Sequence, residues 1–203
     1  MDNKSGVKKI ATAKNIKGRW AEDNEIMFTN IDNIGIEIFS IFDNDTKMLI
    51  GKDGDIAEVV YETENDKWTL VSIFPYPINS DGYDGDAYMI PDGSGMLIAS
   101  DRRNGMNLQP SKAYFHGDTA LASDIFFVPR KNNVYGWDNA INLGIDINTI
   151  YCERAPILSR DLKTLYFCTD GHGGLGYCDV YMSNRLSTDS WTKWSKPQNI
   201  GKI

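Results

Sequence analysis

Short apolar runs bounded by turn-forming residues recur along this chain at a fixed distance from one another. The runs are Met48-Leu49-Ile50, Met96-Leu97-Ile98 and Leu165-Tyr166-Phe167, and each follows an Asp that opens a polar turn. Each of those Asp residues stands thirteen positions after an Asn, giving the pairs Asn30 with Asp43, Asn79 with Asp92, and Asn148 with Asp161. A Gly/Asp-rich loop and another β-rich run come next in every case. A unit of roughly 50 residues that holds several short strands is the pattern of a β-propeller.

The last unit gives the ruler. Arg154 to Leu158 reads as strand a, Thr164 to Cys168 as strand b, Asp179 to Ser183 as strand c, and Trp191 to Lys196 as strand d, with a loop of four glycines between b and c. The order is that of a four-stranded antiparallel meander. The middle unit repeats it at Ala87 to Ile90, Met96 to Ser100, Asp124 to Val128 and a strand near Trp137. It also repeats the ending, since Asn142-Leu143-Gly144 follows Trp137 as Asn199-Ile200-Gly201 follows Trp194. The first unit is more worn, with strands at Glu37 to Ile41, Lys47 to Ile50, Ile56 to Tyr61 and Lys67 to Ile73. Upstream, Val7 to Ala13 and Glu25 to Thr29 read as the outer strands of a preceding blade.

The predicted fold is all-β, a partial propeller of about three and a half blades. Its divisions are 1–35 (outer strands of a partial blade), 36–80, 81–148 with an inserted loop at 105–123, and 149–203. Closed propellers hold about four to eight blades, so the expectation is a segment of a longer propeller, with completion by another chain or a second copy as alternatives.

Composition narrows the partners. With 28 acidic against 21 basic residues the net charge is −7, which argues against nucleic acid or an anionic membrane surface. No window approaches the roughly 18 apolar residues a membrane helix needs, and Met1-Asp2-Asn3-Lys4-Ser5 is followed by no apolar leader. The three cysteines, Cys152, Cys168 and Cys178, include no C-x-x-C pair, so neither zinc nor a redox motif is indicated. Cys168 and Cys178 flank the Gly-rich loop, where a disulfide is conceivable in an oxidising compartment, with buried thiols as the default.

Glu153-Arg154-Ala155-Pro156, Asp161 to Phe167, Gly173 to Tyr181 and Trp194 to Gly201 carry a resemblance to the WD40-like, TolB-like propeller repeat of exported bacterial envelope proteins. The match is strongest over 147–203, moderate over 79–147 and weak before that. The resemblance implies a non-catalytic propeller that binds protein partners, in the periplasm or at the outer membrane. This chain departs from the pattern in its insertion after Asn104, its degenerate first unit and the lack of a leader in the given sequence.

In a propeller of this strand order the d–a and b–c loops share one face. The candidate binding residues gathered there are Asp53, Asp81, Asp84, Asp101, Arg102, Arg103, Asp170 and His172, with Asp32, Asn33, Asp55, Asp86 and Asp179 beside them. Such a face suits a basic peptide, or a hard cation held by oxygens. Against this, Asp and Asn are favoured in turns because they bond their own backbone, and Asp179 fits a hairpin pin. The stretch Asn79 to Asp86 lacks the spacing of an EF-hand loop. No metal, cofactor or catalytic residue is predicted. His116 and His172 read as exposed loop residues, and no Ser/His/Asp constellation or nucleophile elbow is present. Ser187-Thr188-Asp189-Ser190-Trp191 approaches a sialidase box without its Gly. The competing reading is a carbohydrate-active or hydrolytic propeller, with Asp101 and Asp170 as the pair to inspect. Trp20, Trp68, Trp137 and Trp194 fit packing between blades, and Trp191, out of phase, is expected to be more exposed.

Overall fold

The computed structural model describes residues 11–12, 15–20, 24–26, 28–32, 35–103, 105–106, 114–115, 118–119, 122–131, 136–174, 176 and 178–202. These residues form β-sheets that are antiparallel except for one short parallel pair, with one short 3-10 turn at Ile200–Lys202. Among them, no helix is long and apolar enough to cross a membrane.

Four short strands come first: β1 (Ala11–Thr12) pairs with β4 (Asn24–Glu25), and β2 (Asn15–Ile16) with β3 (Arg19–Trp20). The β2–β3 turn places Lys17 and Gly18 at φ 54° and 82°, the left-handed pair of a tight hairpin. The first large sheet holds β5 (Phe28–Thr29), β6 (Glu37–Phe42), β7 (Lys47–Lys52), β8 (Asp55–Glu62) and β9 (Lys67–Ile73) in the order β5-β9-β8-β7-β6. Its central turn is Asp53-Gly54, at φ 55° and 91°. Sequence patterning assigns Glu25 to Thr29 to a separate preceding blade. Instead Phe28 and Thr29 run parallel to Trp68 and Thr69 on the outer edge of this sheet, tied by a 2.7 Å hydroxyl contact between Thr29 and Thr69.

The second sheet is β10 (Asp84–Met89), β11 (Gly95–Ser100), β14 (Asp124–Pro129) and β15 (Ile141–Asn142). Between β11 and β14 the inserted loop carries a hairpin of β12 (Tyr114–Phe115) and β13 (Asp118–Thr119). The third sheet is β16 (Glu153–Leu158), β17 (Thr164–Thr169), β18 (Asp179–Asn184) and β19 (Gln198–Asn199). The fourth strands of both sheets are shorter than the patterning predicts. Trp137 and Trp194 make single antiparallel bridges to Arg130 and Arg185, and a two-residue strand follows each.

Alternate residues bury between successive sheets. Phe28 and Ile36, with the half-buried Ile26 and Ile31, cover Met48, Ile50, Ala57 and Val59 on one side of the first sheet. Leu49 and Ile56, on its other side, pack with Ala87, Met96, Ile98, Phe126 and Val128 of the second. Leu97, Ile125 and Phe127 then pack with Leu158, Leu165, Phe167, Tyr181 and Trp194 of the third. At roughly 1.5–3 kcal/mol for each fully buried large aliphatic or aromatic side chain, these layers are the main favourable term in the fold. The tryptophans belong to them with two corrections. Trp20 is 71% exposed, whereas Trp191 lies flat on Phe127 at 3.9 Å between ring centroids, with the Arg185 guanidinium over its other side.

Cys168 and Cys178 are disulfide-bonded, and Cys152 is free and buried. Thiols were the default reading. The hairpin register overrides it, because pairing Thr169 with Asp179 sets Cys168 and Cys178 with their Cα atoms 5.7 Å apart.

Candidate functional site

The repeated asparagines are staples. Asn79 Oδ1 accepts the Ile56 N–H at 2.8 Å, and its amide donates to the carbonyls of Ile56 at 2.9 Å and Phe74 at 2.7 Å. Asn148 does the same at Ile125, at 2.8 and 2.9 Å, and also donates to Asn142 Oδ1. An asparagine amide presents one donor and one acceptor side by side, so it pairs with a strand as another strand would. Asn30 is exposed with φ 63° and holds no buried position of that kind. The aspartates of the pattern shape turns: Asp92 Oδ1 accepts the Ser94 N–H, and Asp161 Oδ1 accepts the Ser159 hydroxyl and the Lys163 N–H.

The loop carboxylates have equivalent partners in consecutive sheets. Asp84, fully buried, accepts the Ser80 N–H and hydroxyl four residues upstream, and Glu153, also fully buried, accepts the Thr149 N–H and hydroxyl in the same way. Arg102 completes the first site, donating to Asp84 Oδ1 at 2.7 Å, to the carbonyls of Pro77 and Ile78 and to Ser100 Oγ, with Phe126 beneath it. In the third sheet Gly171 takes the place of Arg102. A Cβ there would stand 2.0 Å from Thr149 Oγ1, and Thr169 Oγ1 donates to Glu153 instead. Burial pushes Glu153 up to about 7 against the hydrogen bonds that oppose it.

Asp101 Oδ1 accepts the Tyr83 N–H at 2.7 Å, and Asp170 Oδ1 accepts the Cys152 N–H at 2.9 Å, so this pair clips the b–c loop to the d–a loop within each sheet. Burial raises the Asp101 carboxyl, and its Oδ2 is buried without a hydrogen-bond partner among the described residues.

The remaining candidates scatter. Asp81 and Arg103 form an exposed ion pair at 3.3 Å, and Asp53 meets Lys52 at 3.4 Å from the tip of its turn. Lys52 also reaches Asp32 at 4.0 Å, and Asp179 accepts the Gly176 N–H, the hairpin pin expected of it. His172 was expected to be solvent-exposed. It is half-buried, with Nε2 2.8 Å from the Ile147 carbonyl and its ring edge-on to Phe167, because the Gly-rich loop folds back on the core. Asn33 and His116 lie outside the described residues. Among the described residues no group of three or more His, Cys, Asp or Glu could hold a metal ion.

What sequence reasoning missed is a groove of about 230 Å³ where the first strands of the three sheets run side by side. Glu37, Ile38 and Phe39 of β6, Asp86 and Tyr88 of β10, and Ala155 and Ile157 of β16 border it. Each of these strands carries a bulge there, between Ile38 and Ser40, Gly85 and Tyr88, and Arg154 and Ile157. Asp86 and Ala155 occupy the same bulge position at φ 47° and 50°, and Asp86 Oδ2 accepts the Ala155 N–H at 3.1 Å, joining the two sheets. Burial is the chief cause that pushes the Tyr83 hydroxyl up, and the Asp86 and Glu37 carboxylates add to it while the Arg154 guanidinium opposes them. β6, β10 and β16 are edge strands of their own sheets and turn that edge toward one another. The signal within the sequence was Asp86 alone.

No family model and no curated protein matches this chain by sequence. The crystal structure of TolB from Acinetobacter baumannii is similar with a TM-score of 0.46 and 15% identity, over 87% of this chain and 38% of that one. The chain thus spans well under half the length of that structure.

Proposed function

We propose that this chain is a non-catalytic propeller-type binding module, its stacked sheets acting as blades, and that it engages an extended, basic segment of a protein partner in the groove between its first strands. The groove carries the reading. Two carboxylates, Glu37 and Asp86, stand beside apolar Ile38, Phe39 and Ile157, on three strand edges able to pair with extended backbone. Overall acidity favours the approach of a cationic partner and disfavours nucleic acid.

The hydrolytic alternative finds less support, since Asp101 and Asp170 each direct an oxygen to a backbone N–H of their own sheet. Localisation in a bacterial envelope, on the periplasmic side, is part of the same proposal. The Cys168–Cys178 disulfide favours an oxidising compartment.

The test is calorimetric titration with a short peptide alternating lysine and valine, beside a glutamate–valine counterpart. Binding of the basic peptide alone, weakened at least tenfold by Glu37→Gln with Asp86→Asn, which corresponds to about 1.4 kcal/mol, is the expected result. Asn keeps the acceptor to Ala155 and tolerates the positive φ. Equal binding of both peptides, or an affinity indifferent to the double substitution, would overturn the proposal.

A further inference from the structure

The three large sheets stack in register, so each position in one has a counterpart in the next. Pairing of Leu97 with Phe127 matches pairing of Tyr166 with Met182, and Ser100 with Asp124 matches Thr169 with Asp179. On this alignment Tyr88, Leu97, Ile125 and Phe127 of the second sheet correspond to Ile157, Tyr166, Val180 and Met182 of the third. In the second sheet Leu97, Ile125 and Phe127 are at most 4% exposed, and Tyr88 packs against the same cluster, all covered by the third sheet. In the third sheet Ile157, Tyr166 and Val180 are 52%, 37% and 46% exposed. The same apolar pattern is thus buried once and bare once.

What covers it the first time is known residue by residue. The covering face is Leu158, Leu165, Phe167, Tyr181 and Trp194, from the first, second and third strands and the bridge that follows. The corresponding faces of the second and first sheets are already engaged, one by the first sheet and the other by the Ile26–Ile36 segment. A second copy of the described residues therefore has no free face of this kind.

We infer that the outward face of the third sheet is the docking surface of a further four-stranded sheet of this same repeat, which presents the Leu/Leu/Phe/Tyr/Trp face that the third sheet presents to the second. The inference rests on the stacked-blade part of the proposed function and not on the groove. Burial of alternate residues on a bare sheet face is the force that joins blades in a stack.

The experiment adds the missing partner. Because Asn199 corresponds to Asn142, residue 203 corresponds to 146, and a second copy of residues 147–203 appended after 203 continues the register. It also brings an asparagine equivalent to Asn148 to staple β18. Tyr166→Phe and Met182→Leu in the appended copy mark its peptides. Hydroxyl-radical footprinting then reads the original Tyr166, which is exposed, and Met182, which is half-buried; both should react in the parent chain and severalfold more slowly in the extended one. Tyr166→Lys with Val180→Lys in the original unit should abolish that protection at Met182 while the parent's circular dichroism stays unchanged, both sites being exposed. Unchanged reactivity in the extended chain, whether its added unit folds or not, would overturn the inference, as would protection that survives the lysine pair. Basic-peptide binding is measured on the same preparations and can fail independently.

Discussion

Replacing Glu153 with Gln isolates a buried carboxyl that burial pushes up to about 7. Glu153 Oε2 accepts the Thr149 N–H at 2.8 Å, and Oε1 accepts the hydroxyls of Thr149 at 2.7 Å and Thr169 at 2.8 Å. A glutamine whose oxygen takes the Oε2 place keeps the N–H bond, and its amide donates to the two hydroxyls, which rotate to accept. Burial raises Glu153 from 4.5 to about 7. In the folded chain the proton is therefore held more tightly than in the unfolded one. Below pH 4.5 both states are protonated and no penalty exists; above pH 7 both are ionised and the folded state carries the whole of it. At about 1.4 kcal/mol per unit over about 2.5 units, this single group lowers stability by about 3 kcal/mol between pH 4.5 and 7.5. Urea unfolding followed by tryptophan fluorescence across that range should show the stability gap between the wild type and Glu153→Gln shifting by about this amount in favour of glutamine as pH rises. A gap that stays constant with pH would mean that Glu153 titrates in its ordinary range, and the burial argument would fail.

Asn148→Ala removes the staple on β14 and strands the buried Ile125 N–H, whereas the Ile125 carbonyl keeps its bond from the Leu143 N–H; a loss of about 1–3 kcal/mol is expected from that one group, read as a fall in melting temperature, and no measurable fall would refute the staple. Thiol titration in denaturant should find one reactive thiol per chain, Cys152, rising to three after reduction. Reduction should also lower stability by roughly 2–3 kcal/mol for so short a loop. Three thiols before reduction would exclude the bridge.

The three-strand core of each unit was legible because β-branched and aromatic residues alternate with small or polar ones between glycine and aspartate turns, and the layers bury that alternation. The fourth strand of the first unit was legible as well, since β9 runs over Lys67–Ile73 as the pattern predicts; those of the second and third units were not, because Trp137 and Trp194 attach by single bridges and their neighbours follow side-chain bonds such as Ser183 Oγ to the Ser195 carbonyl. Asn79 and Asn148 stood out as markers, but a partner 23 residues upstream is invisible without the hairpin between them. Acidity at the loops suggested a binding face. Asp84, Asp101 and Asp170 instead bond backbone and neighbouring side chains, the ordinary fate of short carboxylates in turns. The groove left almost no trace, since it depends on Ala155 adopting a left-handed conformation that nothing about an alanine announces.

The asparagine staple sets where this chain can be cut. Asn148 lies beyond the last strand of the second sheet, yet it closes that sheet's third strand, so the unit that holds together ends inside the linker rather than at the strand boundary. A protease nick or a cloning boundary placed after Asn142 separates a sheet from its own clasp, while one placed after Thr149 keeps them together. Gene duplication of such a repeat is subject to the same phase: a breakpoint within the linker yields whole units, and one a few residues earlier yields sheets that cannot close.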